Sequence, residues 1–383
     1  MDFNYILRTL SCSFLLFYLS CSSPKKTEKV DFGVTVEDKF INTHDVLGHF
    51  YFFNQVRNDS LFVFNIFNHS LEIVDLSKNQ LIKSIKFELN GLNSVDQVSG
   101  FYFHNEDSIL LAEEDSKVSL VNIRGEVINS YYNFSDSFEN DDSDELYENS
   151  PSLNFSSQLL FIPVTKEILV YFPSFDQPET KRIFSAYSIE TGKSKPLPIY
   201  YPEAYWGQRL DLSTLFLTSA TQDESGFVFI FSGSPTIYRY NSQTGETDFS
   251  EVSPPWDKAN ADDIPFGPMT LEEKQVYMKR NPFYYKIYYD SNRKLYYRLS
   301  SPPQPNSITE DFHYIDHNKI FISILDENFQ HISDVQLPKE NTYNVGFSFV
   351  TSEGLWISYN SNHQDNERFI KGDLIRFSNP GNK

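Results

Sequence analysis

A phrase of alternating apolar residues, a polar turn and a second alternating run recurs six times along this chain. It reads at residues 73–81, 120–127, 186–193, 237–246, 322–329 and 374–381. Period-two alternation marks a half-buried strand, and Asn or Gly in the turn supplies the positive φ that a tight hairpin requires. Two further strand-like runs stand ahead of several copies: 49–54 with 61–66, 101–103 with 108–112, and 346–350 with 354–359. Four short antiparallel strands recurring at intervals of roughly 50–70 residues predict an all-β chain folded as a six-bladed β-propeller. A generic all-β protein with common hairpins is the alternative.

The sixth copy decides between an open array and a ring. It leaves no residues for an outer strand of its own unit, whereas residues 30–40, alternating around Val34 and Val36, precede the first unit without a partner. The expectation is that this N-terminal strand completes the last blade and closes the ring, removing the exposed edges of an open array.

The first residues bear on the compartment. Arg8 is followed by the apolar run Phe14-Leu15-Leu16-Phe17-Tyr18-Leu19, then small Ser20 and Cys21. That is the layout of a secretory signal, and the run is shorter than the roughly 20 apolar residues of a membrane-spanning helix. Leu19-Ser20-Cys21-Ser22-Ser23 resembles a bacterial lipobox, whose cysteine is acylated after cleavage, although Tyr18 stands where that pattern usually has Leu. On this reading residues 1–20 are a lipoprotein signal peptide, 21–29 a tether and 30–383 a single propeller domain. An ordinary cleaved signal or a buried structural cysteine are the alternatives. Cys12 lies within residues 1–20 and is removed with the signal peptide on this reading, so lipidation of Cys21 leaves no thiol for nucleophilic, zinc or redox chemistry.

Charge narrows the partners. The chain has 52 acidic against 32 basic residues, a net charge of -20, and no Lys/Arg-rich run. Such a surface repels phosphate backbones and argues against nucleic acid.

With strands numbered from the axis outward, outer-to-inner connections and loops between second and third strands emerge on one face. Residues 135–151, 200–212, 253–282, 173–182, 300–318 and 361–370 all map there, so one face is elaborated, and long loops on a rigid scaffold are where function sits. Within 253–282, Thr270-Leu271-Glu272-Glu273 is a capping box, and Lys279, Arg280 and Asn281-Pro282 end the run. A helix near 270–280, lying as a flap beside the channel mouth, is expected.

The candidate ligand-binding set on this face is Tyr205, Trp206, Arg209, Trp256, Asp257, Asp262, Asp263 and Phe266. Apolar rings stack on sugar faces while planar polar groups bond hydroxyls; the bland alternative is that the rings pin long loops to the rim. The tyrosine doublets 284–285, 288–289 and 296–297 read as blade packing. The acidic run 139–145 reads as a solvated loop rather than a calcium site, and His313 and His317 as unrelated loop histidines rather than a metal pair, since no third ligand is in view. No cofactor or metal is expected, because no nucleophile-elbow, phosphate-loop, zincin or dinucleotide motif is present.

The lipobox around Cys21, the six hairpin phrases and the aromatic, Asn-rich, acidic body resemble an uncharacterised family of six-bladed propeller lipoproteins from Bacteroidetes, a domain of unknown function. The resemblance implies lipid anchorage in the cell envelope and no established activity. Basic Lys25 and Lys26 after the cysteine favour the periplasm-facing side of the outer membrane over the cell surface. The function expected is that of a binding or scaffold propeller for a glycan, peptide or envelope protein. A polysaccharide lyase or hydrolase using carboxylates of the elaborated face, and an envelope ligand sensor, are the alternatives.

Overall fold

The computed structural model describes residues 33–42, 53–91, 93–114, 117–132, 134, 153, 159–172, 182–205, 219–262, 270–304, 319–360 and 369–378. The chain divides into two compact units, Val34–Phe377 and a second made of Met1–Gly33 with Ser378–Lys383; the first carries the blades.

After β1 (Gly33–Asn42), the first blade is β2 (Asn54–Arg57), β3 (Ser60–Asn65), β4 (Ser70–Asp75) and β5 (Gln80–Lys86). The second is β6 (Val98–Asn105), β7 (Ser108–Glu113), β8 (Lys117–Val121) and β9 (Val127–Tyr131). The third is β10 (Phe161–Ile162), β11 (Glu167–Tyr171), β12 (Phe184–Ser188) and β13 (Lys193–Pro196). The fourth is β14 (Ser219–Gln222), β15 (Gly226–Ile230), β16 (Thr236–Asn241) and β17 (Thr247–Glu251). Helix α1 (Leu271–Arg280) precedes the fifth, β18 (Phe283–Asp290), β19 (Leu295–Ser301), β20 (Phe321–Leu325) and β21 (His331–Gln336). The sixth begins with β22 (Tyr343–Val350), β23 (Leu355–Tyr359) and β24 (Phe369–Ser378).

Each blade is a four-stranded antiparallel sheet, and the sixth has the order β1-β24-β23-β22. The N-terminal strand therefore completes the last blade, and β22 lies beside β2, so the ring is closed. The fold is a six-bladed β-propeller.

The hairpin phrase recurs because one local device is reused. At the end of the third strand a short polar side chain accepts backbone N–H groups of the following turn, replacing ladder bonds that the turn forfeits. Asp75 accepts from Lys78, Asn122 from Arg124 and Glu126, Ser188 from Thr191, Asn241 from Gln243 and Thr244, and Asp326 from Asn328 and Gln330, at 2.8–3.3 Å. The positive-φ position falls on Asn79, Gly125, Gly192 and Gly245 in the first four blades. In the fifth it falls on Phe329, φ 59°, not on neighbouring Asn328. Burial of the Phe329 ring under the Arg239 guanidinium, 4.3 Å from its centroid, compensates that backbone.

Between blades the side chains of facing sheets interdigitate. Leu61, Val63 and Val74 of the first blade pack on Phe349, Trp356 and Leu374 of the sixth, and Phe184 of the third meets Phe229 of the fourth at 5.5 Å. Gln55 clamps the first two blades: the Phe103 N–H donates to its Oε1 at 2.7 Å, and its Nε2 donates back to the Phe103 carbonyl at 3.2 Å. Gly226 in β15 marks a close approach, since a Cβ there would lie 2.1 Å from the Tyr240 carbonyl oxygen of β16. Gly226→Ala should therefore force the two strands apart and cost about 3 kcal/mol in urea unfolding; an unchanged midpoint would show that the ladder adjusts.

Candidate functional site

Of the predicted site, Tyr205, Trp256, Asp257 and Asp262 lie among the described residues. Trp206, Arg209, Asp263 and Phe266 lie outside the described residues, as do Cys21, His313, His317 and the acidic run 139–145. Tyr205 needs correction as a ligand contact. Its ring is 3% exposed, packed among Tyr201, Phe231 and Tyr277, and its hydroxyl accepts the Gly233 N–H at 2.8 Å. Burial raises its pKa far above the ordinary phenol range, which fixes it as a neutral packing group. Trp256 is half-buried and edge-on to Phe321 at 5.4 Å, with its indole Nε1 enclosed and without a partner. Asp257 and Asp262 are exposed, and Asp262 forms an ion pair with Lys258 at 2.6 Å.

Helix α1 has the expected capping box: Thr270 Oγ1 accepts the Glu273 N–H at 3.2 Å, and the Glu273 carboxylate accepts the Thr270 N–H at 2.7 Å. It is held down rather than free to swing. Tyr277 and Met278 are buried, the Tyr277 hydroxyl donates to the Asp262 carbonyl, and Asn281 accepts from the Asp262 N–H and from Lys258. This pinning places the helix on the hydrophobic cluster shared by the third and fourth blades.

The cavity that gathers residues from every blade is elsewhere. A space of about 560 Å³ lies on the propeller axis. Its wall combines Asn54, Gln55 and Arg57 of β2, Phe101 and Tyr102 of β6, Leu159 and Leu160 ahead of β10, Thr221 and Gln222 of β14, Tyr288 and Tyr289 of β18, and Phe349 and Val350 of β22. The turns Asn58-Asp59, Ser291-Asn292 and Thr351-Ser352 rim it. These turns join first to second strands, so the mouth opens on the trimmed face, opposite the long insertions. The doublet Tyr288-Tyr289, expected to be blade packing, thus also lines the axial space.

Amides, hydroxyls and aromatic rings dominate this wall, with Arg57 and Asp59 as its charged members among the described residues. Arg57 donates to the carbonyls of Phe103 and His104. Burial, aided by that guanidinium, pushes the His104 pKa below its ordinary value. One strand step from Tyr288, Lys286 is 8% exposed and donates to the Gly346 carbonyl at 2.7 Å. Burial lowers its pKa to about 8. Beside it the Tyr288 hydroxyl donates to the Ser348 carbonyl at 2.8 Å. Sequence reading passed over Lys286; the available signal was a single cation inside the aromatic run Phe283-Tyr284-Tyr285-Lys286-Ile287-Tyr288-Tyr289. No group of three or more metal-ligating side chains occurs among the described residues.

A family model described as "Domain of unknown function (DUF4221)" matches residues 30–334. The chain belongs to the DUF4221 family. A crystal structure of a family member from Bacteroides vulgatus is similar at 20% identity and a TM-score of 0.75, covering 92% of this chain and 100% of that one. A putative exported protein from Bacteroides fragilis is similar at 10% identity and a TM-score of 0.54, covering 90% and 95% of the respective chains. At these identities the likenesses speak for the fold alone. No curated protein matches the chain.

Proposed function

We propose that this DUF4221 protein is a lipid-anchored envelope protein that binds a small polar ligand, of the glycan or peptide kind, on the propeller axis. The observation that carries the reading is the axial cavity, whose amides, hydroxyls and aromatic rings come from the inner strands of five blades, while the third adds Leu159 and Leu160 just ahead of β10. Rings offer apolar faces to a sugar or side chain, while Gln222, Asn292 and Thr221 offer donors and acceptors for hydroxyls and amides. Binding is favoured over two-carboxylate hydrolysis because Asp59 is the one carboxylate among the described residues of the wall.

Anchorage at Cys21 and a periplasm-facing position are part of the proposal and rest on the N-terminal sequence. The similar Bacteroides fragilis protein, a putative exported protein, agrees with that placement.

The test is a glycan and peptide array on the full-length protein, followed by calorimetric titration of the best binder. A Gln222→Ala, Asn292→Ala double variant should bind at least about tenfold more weakly with its melting temperature unchanged, the loss of two or more hydrogen bonds. Equal binding by both proteins removes the axial site from the reading. Labelled-lipid incorporation should be abolished in Cys21→Ala; persistence of label rules out this anchor.

A further inference from the structure

We propose that Lys286 is the anion-binding group of the axial site and takes the carboxylate of a small polar ligand, an inference that rests on the axial-cavity reading. An ammonium has three N–H donors. Lys286 uses one, toward the Gly346 carbonyl at 2.7 Å, and no second acceptor or carboxylate partner occurs among the described residues. A cation taken out of water with two donors unfilled is expensive to keep, and an unpaired lysine is among the groups least often found buried.

The backbone on both sides is built around this amine. The β18–β19 register shifts between Tyr284 and Lys286, and the β22–β23 register shifts between Asn344 and Ser348. These irregularities stand on neighbouring inner strands, where a bulge re-aims side chains and releases carbonyls from the ladder. The second irregularity includes Gly346, whose carbonyl is thereby available to the lysine. It is held by its own side chains: the Gly346 N–H donates to Asn344 Oδ1 at 3.0 Å, and Ser348 Oγ donates to the Val345 carbonyl at 2.8 Å. Lys286 and Gly346 are not themselves part of the cavity wall; the wall residue Tyr288, whose ring centroid is 6.0 Å from the lysine Nζ, is their neighbour, so a carboxylate reaches the amine past that ring.

A carboxylate matches what is missing. Its two oxygens accept the two remaining N–H groups, and in a poorly solvated site an anion stabilises the ammonium far more than a neutral carbonyl does. Arg57 on the wall adds a second positive charge against the single Asp59. The overall charge of -20 does not prevent binding of a small anion, because salt screens distant surface charges. Burial lowers the Lys286 pKa to about 8, so the amine is still mostly protonated at neutral pH, and an arriving carboxylate favours that charged form further.

The experiment compares D-glucuronate and N-acetylglycine, each beside its neutral methyl ester, by calorimetry and thermal shift on the full-length protein and on Lys286→Met. At least one acid should bind ten or more times tighter than its ester. Lys286→Met should abolish that preference, leave the ester affinity unchanged, and melt at the same or a higher temperature without ligand, because an uncompensated charge has been removed. A preference for glucuronate assigns a sugar acid, and one for N-acetylglycine an acylated amino acid. Equal affinity for acid and ester, a preference surviving in Lys286→Met, or a marked fall in its melting temperature each overturns the proposal, the last by making Lys286 a strut between blades. If neither acid nor ester binds, the assignment of Lys286 falls, while the cavity itself is judged separately by the Gln222→Ala, Asn292→Ala titration.

Discussion

A chain truncated to begin at Thr43 should no longer yield a monomeric propeller, eluting instead as oligomers or aggregate with loss of cooperative thermal unfolding. β1 is the outer strand of a blade whose other three strands come from the opposite end of the sequence. Its removal uncovers the full edge of β24, a row of unpaired N–H and C=O groups that templates pairing with other chains. Side-chain anchors are lost with it. Lys39 pairs with Glu353 at 2.9 Å, Glu37 pairs with Arg376, and Asp38 accepts from both Lys339 and Tyr359. Ile41 leaves the cluster that joins the sixth blade to the first. A truncated protein that remains monomeric with an unchanged melting temperature would show that the other blades close the ring unaided. The same seam should loosen in acid. Lys339 holds the Asp38 carboxyl well below the carboxylate range, and Arg376 with Lys39 holds Glu353 down. Their contribution is present above about pH 4 and is lost as pH falls through the lowered folded-state values, so acid unfolding should be less steep in Lys339→Met.

Arg298→Ala should be the most damaging single substitution among the described residues, lowering stability by about 3–5 kcal/mol in urea titration. Arg298 is fully buried in β19. Its guanidinium donates to the Pro235 carbonyl at 2.8 Å and the Val252 carbonyl at 2.9 Å, joining the fifth blade to the fourth, and it lies 4.8 Å from the Tyr284 ring centroid. Burial lowers its pKa to about 10, yet the group stays charged at neutral pH. Truncation takes the guanidinium donors from both carbonyls, leaving Pro235 O with only the long 3.4 Å bond from the Val252 N–H, and opens a void the size of the side chain. Arg298→Lys should recover only part of the loss, since a single ammonium does not reproduce the planar fork that reaches both carbonyls. A cost below about 1 kcal/mol for Arg298→Ala would mean that water replaces the guanidinium there.

Legibility in the sequence followed the range of the interactions. The third-to-fourth-strand hairpins are written in contiguous residues, because Asp75, Asn122, Ser188, Asn241 and Asp326 bond backbone only two to four positions away. Helix α1 was equally readable from Thr270 and Glu273, three residues apart. Prediction weakened where local signals were thin. A strand-like run is expected at 49–54, of which 49–52 lie outside the described residues; β2 spans Asn54–Arg57, a four-residue strand positioned by its partner β3 and by neighbouring β22 and β6. Tyr205 looked like an exposed loop aromatic because no local feature reveals that Gly233, distant in sequence, lies against its hydroxyl.

The sequence by itself determined the repeat, the number of blades and the closing strand, since period-two alternation and short-range polar turns are properties of adjacent residues. It also carries the N-terminal signal on which the proposed anchorage rests. Only the tertiary structure decided which side chains meet between blades. Lys286 and the Gly346 carbonyl come from adjacent blades, as do Arg298 and the Pro235 carbonyl, and packing of each blade on its neighbour brings each pair together. Ring closure placed the axial cavity at the short turns, where loop length gave no hint of it: residues of all six blades bound that space jointly, and no single blade encodes it.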